Sequence, residues 1–212
     1  MKKATLLCLF LFCVNFAFAQ DTLYVFVGEK IDLVNKPYKD RDTLEDGRIV
    51  IPMDAGFIAT YKVIQNVYGD YPKDTIIFDA YDHYGIPPFS KHQNVLLFVS
   101  VKNGRFYHQK YQYFAVYKTI DNRWASPYSI QDYTYNKERN IDIKNIKPHR
   151  IELQQEVYYN TTHFKNGKIR YPKRKFDYRC RLKKSKVIYG NYLDELFELK
   201  KGIFRARGLV LE

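Results

Sequence analysis

Along most of the chain, short apolar runs alternate with turn residues, which predicts a mainly β protein. Residues 23–34 read as a first strand region, with Gly28 marking a bulge or a close approach. Residues 35–47 are polar and turn-like, and 48–52 read as a short strand. Between 57 and 68, Phe57, Ala59, Tyr61, Val63 and Val67 share one face while Thr60, Lys62 and Asn66 share the other, the signature of a half-buried strand. Gly69-Asp70-Tyr71-Pro72 turns the chain into a strand over 75–81. A loop carrying Pro87 and Pro88 spans 82–93. Residues 95–101 are almost continuously apolar, as in a strand covered on both faces. Asn103-Gly104 joins that run to a strand over 106–118, and the pair predicts a hairpin because both residues accept positive φ.

The pattern changes after Ile120. Residues 121–149 are polar with scattered aromatics, which predicts irregular structure with a short helix. Residues 151–164 look extended, and Asn166-Gly167 offers a second hairpin into 168–171. Over 176–183, Phe176, Tyr178, Cys180 and Leu182 face one way and Asp177, Arg179, Arg181 and Lys183 the other, an amphipathic strand with a basic outer face. The clearest helix covers 191–201. Asn191 can cap it with Asp194 three residues on, Leu193, Leu196, Phe197 and Leu199 make its apolar stripe, and Lys200, Lys201 and Gly202 suit its end. It is expected to pack on the sheet. The architecture implied is mainly β, an OB-like five-stranded Greek-key barrel over 20–120 with a C-terminal α+β extension over 121–212, the two able to share one core.

Several of these strands resemble those of a netrin-like domain, the OB-fold barrel also used by tissue inhibitors of metalloproteinases. The likeness covers residues 23–118 and rests on Val25-Phe26-Val27-Gly28-Glu29-Lys30, on the run from Phe57 to Asp70, on Asp74-Thr75-Ile76-Ile77-Phe78, and on Asn94-Val95-Leu96-Leu97-Phe98-Val99. The resemblance implies a fold that mostly binds other macromolecules. It does not carry metalloproteinase inhibition. In that family an N-terminal cysteine chelates the zinc, whereas Gln20-Asp21-Thr22 stands at the expected start here, and the family's disulfides have no counterpart.

Residues 1–19 have the three parts of a secretory signal peptide: Lys2 and Lys3, an apolar run over 4–18, and Ala17-Phe18-Ala19 before Gln20. The run is shorter than the roughly 20 residues of a spanning helix, and no transmembrane segment is expected after it. Cys8 and Cys13 lack the small residues that precede a lipidated cysteine. A secreted or periplasmic protein cut after Ala19 keeps Cys180 as its one cysteine, so no internal disulfide forms and packing must supply stability. The 20 tyrosines and the 11 of 15 phenylalanines that follow Ala19 suit that role in strands.

Charge is uneven. The formal net charge is +12, and residues 20–120 balance 12 basic against 12 acidic side chains, while 121–212 hold 21 against 11. Residues 165–186 concentrate 11 basic residues with one acid, Asp177, interleaved with Tyr171, Phe176 and Tyr178. Arg170, Lys173, Arg174, Arg179, Arg181 and Lys183 are the candidate contact surface for a protein or for acidic glycan or lipid head groups. The alternative is a solvated outer face whose lysines block strand pairing. Export disfavours nucleic acid as the partner.

Catalytic chemistry finds little to stand on. His83, His92, His108, His149 and His163 share no metal-ligand spacing, and no nucleophile elbow or phosphate loop occurs. His83 with Asp82 on the proline loop is the one acid–base candidate. Cys180 reads as a small core residue, and Asn160-Thr161-Thr162 as a chance sequon. The expectation is an exported, non-enzymatic binding protein without cofactor or metal. The alternatives are a hydrolase centred near His83 and a structural envelope component.

Overall fold

The structure, a computed structural model, describes residues 22–36, 53–143, 145–160, 164–165, 168–169, 184–187 and 189–211. Among these, five strands close into a barrel: β1 (Leu23–Asn35), β2 (Ala55–Tyr68), β3 (Thr75–Asp82), β4 (Asn94–Lys102) and β5 (Arg105–Ala115), in the order β1-β2-β3-β5-β4. All pairings are antiparallel except β3 with β5, which meet in parallel at Asp79 and Tyr107. This is the OB-like Greek-key arrangement the strand pattern predicts. The expected strand over 48–52 lies outside the described residues.

Two local signals work as anticipated. Asn103 and Gly104 have φ of 50° and 73°, the left-handed pair of a tight hairpin turn between β4 and β5. In β1 the register with β2 shifts between Val27 and Gly28. A Cβ on Gly28 would stand 3.0–3.2 Å from the Tyr61, Phe26 and Leu97 side chains, so only glycine lets the strand bend there against the barrel filling.

The continuous apolar run in β4 divides by alternation. Val95, Leu97 and Val99 fill the barrel interior with Phe26, Tyr61, Ile76, Phe78 and Phe89. Leu96 and Phe98 point to the other side, where they join Val25, Val27, Phe114 and Trp124. That second core is closed by the last helix, α2 (Leu193–Ala206), through Leu193, Leu196, Phe197 and Phe204. Fully burying each of these side chains is worth about 1.5–3 kcal/mol.

The helix is capped one residue later than its sequence signals imply and runs five residues further, to Ala206. Tyr192 is the N-cap in place of Asn191, and Glu195, not Asp194, reaches back to accept from the Tyr192 backbone N–H at 3.1 Å. Asn191 is instead buried in a strand, donating to Lys147 O and the Glu195 carboxylate. Gly202 does not stop the helix. It sits inside it, where a Cβ would come within 2.3 Å of Ile141 Cδ1, so glycine serves the close approach of a neighbouring segment.

Between barrel and helix, β6 (Tyr117–Lys118), β7 (Trp124–Pro127), β8 (His149–Arg150) and β13 (Tyr189–Tyr192) form a sheet in the order β6-β7-β13-β8. α1 (Ile130–Glu138) is the short helix expected in 121–149. β7 was not legible there, being short and ending in proline. Asn136 ties the helices together by donating from Nδ2 to Asp132 O and Leu199 O. Among the described residues, the expected extended stretch at 151–164 holds a bridge at Leu153, β9 (Tyr158–Asn160), which pairs with β12 (Lys184–Lys186), and at Phe164 the start of the next strand. β10 (Phe164–Lys165) and β11 (Lys168–Ile169) pair antiparallel across 166–167, whose two residues lie outside the described set.

Candidate functional site

The strand expected over 106–118 is interrupted where the site is built. Leu97 pairs with Tyr113 and Val99 with His108, so two steps along β4 face five along β5. Residues 109–112 therefore swing out of the ladder as a bulge opposite Phe98. Tyr111 within it has φ of 66°, a left-handed backbone that costs a side-chain-bearing residue about 1–2 kcal/mol.

Three of the four bulge residues, Gln109, Lys110 and Gln112, are held by hydrogen bonds to named partners. His108 Nε2 lies 2.8 Å from Gln112 O across the base of the bulge. Gln109 Nε2 donates to Ser100 Oγ at 2.9 Å, and Lys110 Nζ reaches the Asp54 carboxylate at 2.6–2.7 Å. From the end of α2, Arg207 donates to Gln109 Oε1 at 2.9 Å and to Lys110 O at 3.1 Å. Burial pushes the His108 imidazole down to about 4, against the smaller opposing pull of its bond to Gln112 O, with the Arg207 charge lowering it further. His108 is thus neutral near pH 7 and donates its Nε2 proton to the Gln112 carbonyl. Its ring centroid stands 4.4 Å from that of Phe89.

Behind the bulge is a pocket of about 360 Å³. β5 lines it with Tyr111 and Gln112, α1 with Gln131, Asp132 and Tyr135, and the end of α2 with Lys200, Ile203, Ala206 and Arg207. Its floor is an ion pair between Lys200 and Asp132, only 6% and 8% exposed. Ser129 Oγ donates to the second Asp132 oxygen, and Lys200 Nζ also stands 4.7 Å from the centre of the Phe114 ring. Removing either partner of such a pair strands a buried charge at a cost of about 3–5 kcal/mol. Gln112 Nε2 donates to Lys110 O at 3.4 Å, while its buried Oε1 has no hydrogen-bond partner.

An aromatic rim continues outward from Tyr111. Tyr84, 87% exposed, has its ring centroid 6.2 Å from that of Tyr111 and 5.2 Å from that of His83. Lys110 Nζ lies 5.1 Å from the Tyr111 ring centre.

The acid–base candidate at 82–83 is arranged otherwise than a catalytic pair. Asp82 is buried, its Oδ1 accepting from Tyr84 N–H at 2.8 Å, while His83 Nδ1 faces Met53 O at 2.8 Å and Asp54 Oδ1 at 3.7 Å. His149 bonds Glu195 at 2.7 Å, and His92 is half-buried, its imidazole lowered by burial and by Lys91. Among the described residues no cluster of three or more histidine, cysteine or acidic side chains could hold a metal, and no helix is long and apolar enough to cross a membrane. The basic candidates Arg170, Lys173, Arg174, Arg179, Arg181 and Lys183 lie outside the described residues, as do Cys180, His163 and residues 1–21.

The bulge pocket has no clear mark in the sequence. Gln109-Lys110-Tyr111-Gln112 carries no glycine and continues the strand-like alternation, so the only signal was the length of the run from 106 to 118 opposite the shorter one at 95–101. No family model, curated protein or solved structure matches the chain.

Proposed function

We propose that the chain is an exported binding protein without catalytic activity, working in the cell envelope or outside the cell, and that it takes a protein or an anionic polymer at the pocket behind the β5 bulge. The observation that carries this reading is the bulge itself. A tyrosine in left-handed backbone is maintained by the His108–Gln112 bond across the bulge and by bonds to three other parts of the chain, at Ser100, Asp54 and Arg207. Strain sustained in this way, at a bulge that re-aims side chains into a cavity, is characteristic of binding and active sites. The barrel's strand order is that of an OB-like fold, a frame that commonly binds other molecules, and the pattern at 1–19 supports export. A hydrolase centred on His83 draws no support from Asp82, whose carboxylate is buried and occupied by its own turn.

The test is retention of residues 20–212 on an array of acidic glycans, anionic lipids and envelope proteins at low and physiological salt, beside the variant Ala206→Trp. Ala206 is exposed on the pocket wall, so tryptophan fills the pocket without entering the core. The expected result is a ligand retained at physiological salt, weakened at least tenfold by the variant and recovered intact. Equal retention by both proteins, no retention, or a ligand returned cleaved would contradict the reading.

A further inference from the structure

The charges lining the pocket do not cancel. Lys200 and Asp132 neutralise each other at the floor. Arg207 gives two of its N–H groups to uncharged acceptors, Gln109 Oε1 and Lys110 O, and among the described residues no carboxylate pairs with it. One positive charge is left over. Beside it, the buried Gln112 Oε1 is an acceptor without a donor, and leaving such an atom unsatisfied is costly. Tyr111, Ile203 and Ala206 add aromatic and aliphatic surface.

These features specify a complement. A ligand must bring one negative charge, at least one hydrogen-bond donor and a flat apolar face. A phosphate dianion exceeds the single uncompensated cation. An ammonium group finds no anion to meet, because Asp132 is held by Lys200 and Ser129. The guanidinium fork matches a carboxylate. The volume of about 360 Å³ is at the small end of ligand sites, which run from roughly 300 to 1,000 Å³.

We infer that the pocket takes a uronic acid ring, its carboxylate on Arg207, a hydroxyl donating to Gln112 Oε1, and its C–H face against Tyr111. This rests on the binding reading above and gives that reading a ligand class. The same chemistry is offered by a free hexuronate and by the terminal residue of an acidic glycan.

Calorimetric titration of residues 20–212 at pH 7 with glucuronate, glucose, acetate, inorganic phosphate, open-chain gluconate and a uronate-terminated disaccharide tests the assignment. Glucuronate is expected to bind at least tenfold more tightly than glucose, acetate, phosphate or gluconate. Arg207→Gln should erase the preference over glucose, and Gln112→Leu should weaken both sugars. Arg207→Lys, which keeps the charge without the fork, should keep part of the preference. A thermal midpoint within a few degrees of the parent shows that each variant is folded. Tighter binding of the disaccharide supports a glycan end, and equal binding of it supports the free sugar acid. Absence of glucuronate binding, equal binding of glucose, phosphate or gluconate, or a preference that survives Arg207→Gln overturns the inference. If glucuronate fails while an array ligand is still lost on Ala206→Trp, the uronate assignment alone falls. If both fail, the binding reading falls with it.

Discussion

His108 couples the barrel interior to the site surface. Its ring packs on Phe89 inside the barrel, and its Nε2 proton closes the base of the bulge on Gln112 O. Because burial holds it near 4 in the folded protein against about 6.5 in the unfolded chain, the unfolded state takes up the proton first as pH falls. The associated stability is fully present above about pH 6.5 and is lost progressively down to about pH 4. The difference amounts to about 3 kcal/mol at most. Urea midpoints at pH 7, 5.5 and 4 should therefore fall more steeply for the parent than for His108→Phe, which keeps an aromatic ring there and cannot titrate. Parallel slopes would show that His108 is not the group responsible. Nothing at position 108 announces this in the sequence. A histidine in an alternating strand reads the same whether it is sealed in a barrel or exposed, and only the closure by β3 and Phe89 decides.

β4 shows what a hydrophobic run can disclose on its own. Six of its nine residues are buried, because the barrel takes one face and α2 the other. Leu96→Ala on the helix side and Leu97→Ala on the barrel side should each cost about 2–5 kcal/mol in chemical denaturation. A strand with one solvated face would lose that much at only one of the two positions, so a cost below about 1 kcal/mol at Leu96 would contradict the docking of α2. The run over 95–101, apolar at six of seven positions, is enough to predict double coverage, but not what covers the second face. α2 was equally legible through its apolar stripe. Its ends were not, since Asn191 and Gly202 have the chemistry of a cap and a stop and are used instead for strand and helix contacts. The bulge in β5 was hidden for the opposite reason. Its strain is stabilised by Arg207 and Asp54, which are distant in sequence, and by Ser100 on the other arm of the hairpin, so no pattern within β5 records it.

Over the whole molecule, the C-terminal segment completes the barrel domain. Leu193, Leu196, Phe197, Phe204 and Leu209 share one core with Leu23, Val25 and Leu96. The pocket exists only because α1 and α2 of the C-terminal half pack beside the barrel, with β5 supplying the strained wall and the helices the charged floor and Arg207. No single segment carries the pattern of the candidate site, whereas the charge asymmetry between the halves is plain in the sequence. That asymmetry places Lys200 and Arg207 in the basic half and Tyr111 and Gln112 in the balanced one. Amide chemical-shift mapping of the retained ligand on labelled residues 20–212 tests the account most directly. The predicted result is a set of perturbations centred on Lys110, Tyr111, Gln112, Gln131 and Arg207. Perturbations confined to the exposed Val34, Ile58 and Ile77 of β1, β2 and β3, with the bulge amides unmoved, would contradict it.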